Sequence, residues 1–381
     1  MNDRNRKTDT NEIDSRKQPL WYSGRYFDYP LFGIVLGLVL FGLVMVYSTS
    51  SYRADELYGD STYFAKRQLV FELVALVGMF LVSKIDYRRY ARYSKYFLYV
   101  AIALLVLVYI IGSASHGSTR WIYIGAFGFQ PSEFAKLALI VYTADICTRK
   151  PRSLNTIKGL AKMLLLPLIT IMLIAIENLS TAIICFGIVM IIVFVASPKN
   201  WHFILMGVLG ILMCVVFIAT AGYRADRIRI WLAPEKYDDG YQTMQSLYAI
   251  GSGGFFGRGL GNSIQKMGFI PESHNDMIFS VICEELGLFG AVLTIIMFIL
   301  LIYRCTVLAI NSGDRFGGLI AVGVMAHIAV QVLINISVVT NTIPPTGVPL
   351  PFISYGGSSI FFLLLEMGLM FAVARQIKPG R

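Results

Sequence analysis

Apolar stretches of roughly 20 residues recur along this chain, separated by polar segments that are mostly short. A helix of about 20 residues is long enough to cross the hydrocarbon core of a bilayer. Strands of a membrane barrel would instead give segments of about 10 residues with alternating polarity, and the sequence shows no such segments. The pattern predicts an all-α, polytopic membrane bundle of about ten transmembrane helices. The predicted spans are 30–48, 68–85, 96–113, 131–147, 160–177, 181–198, 202–222, 277–303, 318–340 and 351–374.

The positions of lysine and arginine predict how the bundle is oriented. Most of the 33 Lys and Arg residues lie in the terminal segments and in the loops after the second, fourth, sixth and eighth spans. Such loops stay on the cytoplasmic side of a membrane. Both termini are therefore predicted to be cytoplasmic, with a polar tail at 1–29, a transmembrane domain at 30–374 and a short tail at 375–381. This topology explains the net charge of +10 without a nucleic-acid partner.

Composition supports the same class. The chain has 381 residues, of which 56% are hydrophobic and 15% charged, and its mean hydropathy is +0.64. The five cysteines show no Cys-x-x-Cys spacing, so the sequence supports neither a disulfide framework nor a zinc site. The first 29 residues lack the apolar core of a signal peptide and are interpreted as a cytoplasmic tail.

One predicted outer loop, at about 223–276, is far longer than the other outer loops. Loops of this length in compact proteins are usually functional or disordered. This loop is rich in aromatic, aliphatic and glycine residues, which favours a structured extracytoplasmic segment. A short helix is predicted near 242–250.

The junction between this loop and the eighth span, residues 271–287, is rich in ionisable side chains. Asp276 falls at the helix start, where a carboxylate can cap free N–H groups and is favoured by the helix dipole. Glu284 and Glu285 lie about two turns deeper, where an acid usually faces a cavity or an ion-pair partner. We interpret the two glutamates as members of buried ion pairs with a neighbouring span, and Asp276 as either a cap or a functional carboxylate.

More polar side chains are predicted on the same outer face. Interfacial snorkelling explains Lys66 and Arg67 individually, and the aromatic belt of membrane proteins explains Trp121. A local ion pair at positions i and i+3 explains Glu133 and Lys136. These explanations leave open why so many cations and acids gather on one face. The other polar candidates on this face include Arg120, Lys266 and His274.

A polar stripe is predicted on the ninth span, because His327, Gln331 and Asn335 recur at every fourth position. Hydrogen bonds between helices are the usual reason for such a stripe. A proton pathway is the less favoured alternative.

Four stretches of the chain resemble signature sequences of the SEDS family (shape, elongation, division and sporulation). They follow the order of the family, and the resemblance covers nearly all of residues 25–375. The run GLGNSIQK followed by PESHND is more similar to FtsW and the related sporulation protein than to RodA. The four stretches are TRWIYIGAFGFQPSEFAKL, GYQTMQSLYAIGSGGFFGRGLGNS, GNSIQKMGFIPESHNDMIFSVICEELG and TGVPLPFISYGGSS.

This resemblance implies a ten-span glycosyltransferase that polymerises lipid II into peptidoglycan at the outer face of the cytoplasmic membrane. Septal synthesis during division is the favoured role, and the sequence leaves sporulation and elongation open. It also implies a class B penicillin-binding protein and other divisome proteins as partners. The family's essential loop aspartate, in its PE-x-H-x-D motif, corresponds to Asp276, and its Arg-Trp pair to Arg120 and Trp121. Its PSE-x-x-K element corresponds to Pro131, Ser132, Glu133 and Lys136.

One position departs from the family. Many members have Pro-Asp-Leu-Gly-Thr where this chain has Glu177-Asn178 followed by Leu-Ser-Thr. The acid therefore stands one position earlier, and no role is assigned to Glu177.

The chemistry of joining two lipid-linked disaccharides explains which residues are needed. A sugar hydroxyl must lose its proton as it attacks, and a pyrophosphate must leave beside positive charge. Asp276 is predicted to be the general base or to hold a divalent cation, Mg or Mn, that neutralises the pyrophosphate. The sequence makes no cofactor obligatory. The predicted substrate-binding residues are Arg120, Trp121, Lys136, Glu133, Lys66, Arg67, His274 and Lys266.

Two other classes of function stay open at this point. A lipid II flippase is suggested by ionisable residues within the bundle, Glu284, Glu285 and His327. A non-catalytic divisome scaffold is the other alternative, and it predicts that substitutions of Asp276 are tolerated.

Overall fold

The computed structural model describes residues 27–115, 118–124, 127–199, 201–219 and 222–377. Most of them form helices that pack around one apolar core. Residues 1–26 and 378–381 of the predicted tails lie outside the described residues. The helices are α1 Tyr29–Tyr58, α2 Tyr63–Lys84, α3 Arg88–Ile111, α4 Pro131–Arg149, α5 Ile157–Glu177, α6 Leu179–Ala196, α7 Trp201–Ala219, α8 Gly222–Leu232, α9 Tyr241–Ser252, α10 Ile278–Asn311, α11 Arg315–Val339 and α12 Gly357–Ala374.

The predicted all-α class is confirmed, and the ten predicted spans correspond to α1–α7 and α10–α12. Among the described residues, seven helices are long and apolar enough to cross a membrane: α1, α3, α5, α6, α10, α11 and α12. Charged residues interrupt the apolar character of α2 and α4, which carry Glu72 and Asp145 among others. Both of these acids are buried within the bundle.

Several helix ends differ from the sequence prediction. α1 continues to Tyr58 rather than ending at 48, and α10 continues to Asn311 rather than 303. α12 begins at Gly357 rather than 351. Polarity marks where a span leaves the apolar layer, whereas the hydrogen bonds of a helix continue into the polar region beyond it.

The long loop is structured, as predicted. Helix α9 matches the short helix expected near 242–250, whereas α8 follows α7 closely and was not predicted. The indole N–H of Trp231 donates to the carbonyl of Asn341 at 3.0 Å, and Ser246 Oγ donates to the carbonyl of Val339 at 3.1 Å. The loop is therefore fixed onto the C-terminal end of α11.

A small antiparallel sheet, also not predicted, connects α3 to α4. Its strands are β1 Ser113–Ser115, β2 Ser118–Ile124 and β3 Phe127–Phe129, in the order β1-β2-β3. Ser358 Oγ at the start of α12 donates to the carbonyl of Gly128 at 2.7 Å. The sheet therefore lies at the same end of the bundle as the start of α12.

Helix α10 is broken where the long loop meets it. Gly287 has φ +66° and ψ −163°, which interrupts the helix. Residues 254–259 form backbone hydrogen bonds on both sides of this break, with N to O distances of 2.9–3.0 Å. The N–H groups of Arg258 and Gly259 donate to the carbonyls of Glu284 and Glu285, and those of Leu288 and Phe289 donate to the carbonyls of Gly254 and Phe255. The loop satisfies backbone groups that the broken helix leaves free, as a membrane-buried break requires.

Replacing Gly287 with alanine is expected to destabilise this junction. An added Cβ would lie 2.3 Å from the backbone nitrogen of Gly257, and the positive φ is strained for any other residue. We expect the free energy of unfolding to fall by ~1–3 kcal/mol, measured by unfolding of the purified protein in detergent. Gly251→Ala is the matched control, because nothing lies within 4 Å of its added Cβ. Equal stability of the two variants would contradict this role for Gly287.

Candidate functional site

Asp276 precedes α10 and is held by its backbone. Asn335 Nδ2, near the end of α11, donates to the carbonyl of Asp276 at 2.7 Å and to that of Val348 at 2.8 Å. One amide group therefore joins α11, the loop before α10 and the loop between α11 and α12. We refer to this end of the bundle as the Asp276 end.

The residues before Asp276 are bonded to the loop between α11 and α12. Ser354 Oγ donates to the carbonyl of Asn275 at 2.6 Å, and the Tyr355 N–H donates to the carbonyl of His274 at 2.9 Å. The His274 ring lies between Phe64 and Tyr355, with ring centroids 4.8 Å and 5.6 Å away. Burial among these rings, together with the nearby positive charge of Arg53, lowers the pKa of His274 to about 4. His274 is therefore neutral at physiological pH.

The Asp276 carboxyl group is partly buried and poorly satisfied. Its Oδ1 atom has no hydrogen-bond partner among the described residues. Burial is the main cause that raises the pKa of Asp276 to about 7, and the negative charge of Glu272 adds to it. Backbone N–H groups and the positive charge of Arg227 act in the opposite direction. A carboxyl group with a pKa near 7 is suited to accept a proton at neutral pH.

Two residues near Asp276 were not predicted from the sequence. Arg227, on α8, donates through Nη1 to the carbonyl of Pro345 at 3.3 Å. Gly347 follows in the same loop, and a Cβ on it would lie 3.9 Å from Asp276 Oδ2. The sequence shows Arg227 only as one cation of a long loop, and only the folding of α8 toward α11 brings it near Asp276.

Lys66 and Arg67 lie at the Asp276 end, at the start of α2. Lys66 is exposed and pairs with Asp60 at 2.9 Å, and Arg67 lies 6.0 Å from the centre of the Phe71 ring. Hydrogen bonds from Thr62, together with those from Lys66, lower the pKa of Asp60 to about 2. In the part of the chain that the structure describes, neither cation is bonded to Asp276.

Arg120 and Trp121 lie on β2. Arg120 Nη2 donates to the carbonyl of Glu177 at 2.9 Å, which joins the sheet to the end of α5. The Trp121 ring stacks on Tyr123 with centroids 6.5 Å apart. Asn178 caps α6 by accepting from the Thr181 N–H at 3.1 Å. Because aspartate and asparagine cap helices equally well, this role fits the departure from the family pattern at Asn178.

Glu133 and Lys136 form the local ion pair that the sequence predicts, at 2.9 Å, and both are buried. Lys136 Nζ also donates to Gln331 Oε1 at 3.1 Å, and Gln331 Nε2 donates to the carbonyl of Pro349 at 3.0 Å. Lys136 is only 2% exposed, so it supports the loop beside Asp276 from within the bundle.

The polar stripe on α11 makes the hydrogen bonds between elements that the sequence predicts. Its members are Gln331 and Asn335, whose bonds to neighbouring loops are given above, and His327. The His327 ring lies 2.8 Å from Glu366 on α12 through Nδ1 and 2.8 Å from Gln331 Oε1 through Nε2. The stripe thus joins α11 to α4, α12 and the loop that follows α11.

The predicted ion pairs of Glu284 and Glu285 are present, but their partners come from the long loop and not from a neighbouring span. Lys266 Nζ lies 2.8 Å from Glu285, and Ser48 of α1 donates to Glu285 at 2.7–2.8 Å. Arg258 Nε lies 3.7 Å from Glu284. Lys266 is 4% exposed, which differs from the open position expected of a substrate-binding cation. This cluster anchors the loop to the bundle.

The side chains near Asp276 decide whether a divalent cation could bind there. Within the described ranges, no group of three or more His, Cys, Asp or Glu residues is placed to hold a metal ion. Asp276 and Glu272 together offer two carboxylates. Magnesium is often held by one or two carboxylates plus substrate phosphates and water, so the chemistry of these two donors suits such an ion, but Glu272 Oε2 already accepts from Asn275 Nδ2.

The fold and this site define a polytopic helical membrane protein with a half-buried carboxyl group of raised pKa at one end of its bundle. The chain belongs to the FtsW/RodA/SpoVE family of cell cycle proteins, whose sequence model matches residues 29–379.

Relatives and solved structures agree with this assignment. Stage V sporulation protein E of Bacillus subtilis (strain 168) is 40% identical over 348 residues, covering 90% of this chain and 95% of that protein. The probable peptidoglycan glycosyltransferase FtsW of Trichlorobacter lovleyi is 37% identical over 358 residues, covering 92% and 94%.

Among solved structures, a chain from a study of how a peptidoglycan synthase complex coordinates polymerization and crosslinking is similar with a TM-score of 0.78, 27% identity and coverage of 93% and 99%. The rod shape determining protein RodA of Thermus thermophilus is similar with a TM-score of 0.69, 26% identity and coverage of 94% and 99%. The predicted family is confirmed.

Proposed function

We propose that this protein is a peptidoglycan glycosyltransferase that polymerises lipid II at the extracytoplasmic face of a bacterial membrane. The observation that carries the proposal is the Asp276 carboxyl group. Asp276 lies two residues before α10, one of its oxygens has no partner in the described chain, and its pKa is about 7. Relatives that share most of this chain's length are named as peptidoglycan glycosyltransferases.

In the proposed reaction, the Asp276 carboxylate accepts the proton of a sugar hydroxyl as that oxygen attacks the anomeric carbon of a second lipid-linked disaccharide. A new glycosidic bond forms, the bond from the anomeric carbon to phosphate breaks, and the electron pair leaves with the lipid pyrophosphate. The lipid tails stay in the bilayer, which requires a base at the membrane surface. The place of Asp276 at the start of α10 supports this step.

Cations stabilise the leaving pyrophosphate in this proposal. Arg227 is the cation whose charge acts on Asp276, and Lys66, Arg67 and Arg120 lie at the same end of the bundle. Lys136 and Lys266 act as positioning residues, since each is buried in an ion pair. In the alternative form of the proposal, Asp276 and Glu272 would hold a magnesium or manganese ion that neutralises the pyrophosphate, and Asp276 would then be its ligand instead of the base. Trp121 on β2 and Glu133 on α4 lie on the elements next to these groups. Neutral His274 orients the segment that carries Asp276.

Two substitutions are expected to shift the midpoint pH of polymerisation in opposite directions. Asp276 acts as a base only when ionised, so kcat/KM should rise with pH through about 7 and level off above it. Glu272→Gln removes a charge that raises the pKa, so the midpoint should move to lower pH. Arg227→Gln removes a charge that lowers it, so the midpoint should move to higher pH. Glu235→Gln, an exposed acid of the same loop, is the control. Shifts in the same direction would contradict this electrostatic arrangement.

Partner and location follow from the same proposal. A class B penicillin-binding protein would crosslink the strands that this protein makes, and a similar chain comes from a peptidoglycan synthase complex. We place both termini in the cytoplasm and the protein at the division septum with other divisome proteins. Because one relative is a stage V sporulation protein, the alternative location is a septum formed during sporulation.

Reconstituted vesicles test the function. The purified protein is supplied with labelled lipid II on one leaflet, with and without a class B penicillin-binding protein. We expect glycan strands, and more of them when the partner is present. Lipid II that crosses the membrane without forming strands would replace the proposal with the transporter, and neither strands nor crossing would favour the scaffold.

A further inference from the structure

A second site lies at the end of the bundle opposite to Asp276. Helix α11 runs from Arg315 at that end to Asn335 beside Asp276, a rise of about 30 Å. A cavity of about 400 Å³ opens there between the 3-10 turn after α4, the end of α6 and the start of α11. Its lining includes Arg152, Asn155, Val195, Ser197, Pro198 and Arg315.

Hydrogen bonds across the three elements hold the cavity in shape. Arg315 Nη2 donates to the carbonyl of Ala196 at 2.6 Å, which joins α11 to α6. Lys199 Nζ donates to the carbonyl of Asn155 at 3.2 Å, which joins the segment after α6 to the turn after α4. The Lys199 N–H also donates to Ser197 Oγ at 3.2 Å.

The positive charge of this cavity is not neutralised within the described part of the chain. No acidic residue lines the cavity, and within the described residues neither of its two lining cations, Arg152 and Arg315, forms an ion pair. The acid beside Arg315 in sequence, Asp314, pairs with Arg88 at 2.8 Å and caps α11 through the Gly317 N–H. Arg152 and Arg315 therefore remain available to an anion.

The rest of the lining combines the polar residues Asn155 and Ser197 with apolar residues such as Val195 and Pro198. Val195, the next-to-last residue of α6, is 54% exposed. A ligand that combines negative charge with an apolar chain therefore fits this lining. Guanidinium groups bind phosphate through paired hydrogen bonds, and basic pockets between transmembrane helices bind lipid headgroups.

We propose that this cavity binds the phosphate headgroup of an anionic phospholipid from the leaflet at that end of the bundle, with Arg152 and Arg315 as its ligands. The sequence places this leaflet on the cytoplasmic side, because the loops at this end carry the excess of Lys and Arg. The bound lipid joins α6, α11 and the turn after α4, so it stabilises the folded protein in proportion to its occupancy. The proposal is independent of the polymerase function.

Binding is measured in nanodiscs of phosphatidylcholine to which phosphatidylglycerol is added in steps, with native mass spectrometry and thermal unfolding as readouts. For the wild type we expect one retained phosphatidylglycerol and a rising melting temperature. Arg152→Gln/Arg315→Gln should weaken the apparent affinity at least about tenfold. Arg152→Gln alone should weaken it in part, and the loss of Arg152 breaks no recorded hydrogen bond.

Lys84→Gln/Lys95→Gln is the matched control, because it removes two exposed cations from the same end of the bundle. The control should bind like the wild type. An equal loss of affinity in the control would show that general surface charge, not this cavity, attracts the lipid. Glycerol 3-phosphate that protects as well as phosphatidylglycerol would show a soluble anion to be the ligand. Absence of retained lipid in the wild type would likewise overturn the proposal.

Discussion

Asp276→Asn is expected to lower the rate of glycan polymerisation by a factor of about 10²–10⁴, while the protein stays folded and keeps its affinity for lipid II. The amide has nearly the shape of the carboxyl group but cannot accept the proton of the attacking hydroxyl, and general base catalysis contributes a factor of this size. Because the side chain oxygen Oδ1 has no partner among the described residues, its replacement breaks no recorded hydrogen bond there. The measurement is steady-state strand synthesis from labelled lipid II.

Glu235→Gln is the control for this substitution. Glu235 is an exposed acid of the same loop, in a 3-10 turn, so its loss changes the net charge equally. Its rate should match the wild type. A rate for Asp276→Asn within a few-fold of this control would remove Asp276 from the reaction and favour a scaffold.

Lys266→Ala is expected to be the most destabilising single substitution that we propose. The change leaves the Glu285 carboxylate buried, with a hydrogen bond from Ser48 but without the positive charge of Lys266. Breaking a buried pair in this way costs about 3–5 kcal/mol. The long loop should detach first, because Lys266 lies within it, and polymerisation should fall with the folded fraction. Unfolding in detergent and protease sensitivity of the loop measure the effect.

Lys66→Ala is the matched control for Lys266. Lys66 pairs with Asp60 at nearly the same distance, 2.9 Å, but on the surface. Exposed pairs contribute little to stability, because water screens the two charges. A double variant, Lys266→Met/Glu285→Gln, should regain part of the lost stability, because no buried charge is left alone. Equal stability of the Lys266 and Lys66 single variants would contradict the anchoring role.

Much of the fold could be predicted from hydrophobic periodicity. The ten spans follow from runs of apolar residues, which long helices must show in a bilayer. The small sheet could not be predicted, since β1 and β3 have three residues each and no pattern can form over that length. The break at Gly287 depends on backbone pairing with a distant loop, so no local signal marks it.

The candidate site was only partly visible in the sequence. Asp276 was found through its motif, and the structure adds its raised pKa and its place beside Gly347. Lys136 and Lys266 were predicted as cations for the substrate, yet both are buried in ion pairs. A sequence shows that a charge is present but not whether it is buried. Arg227 could not be predicted as a site residue, because only tertiary folding brings α8 near Asp276.

The most direct test of the central claim is a single-turnover measurement of lipid pyrophosphate release. Wild type and Asp276→Asn are mixed with lipid II, bound substrate is quantified, and the reaction is quenched at successive times. Wild type should release lipid pyrophosphate as glycosidic bonds form, whereas Asp276→Asn should hold lipid II and release almost none. Release by Asp276→Asn at the wild-type rate would contradict the claim that Asp276 takes the proton.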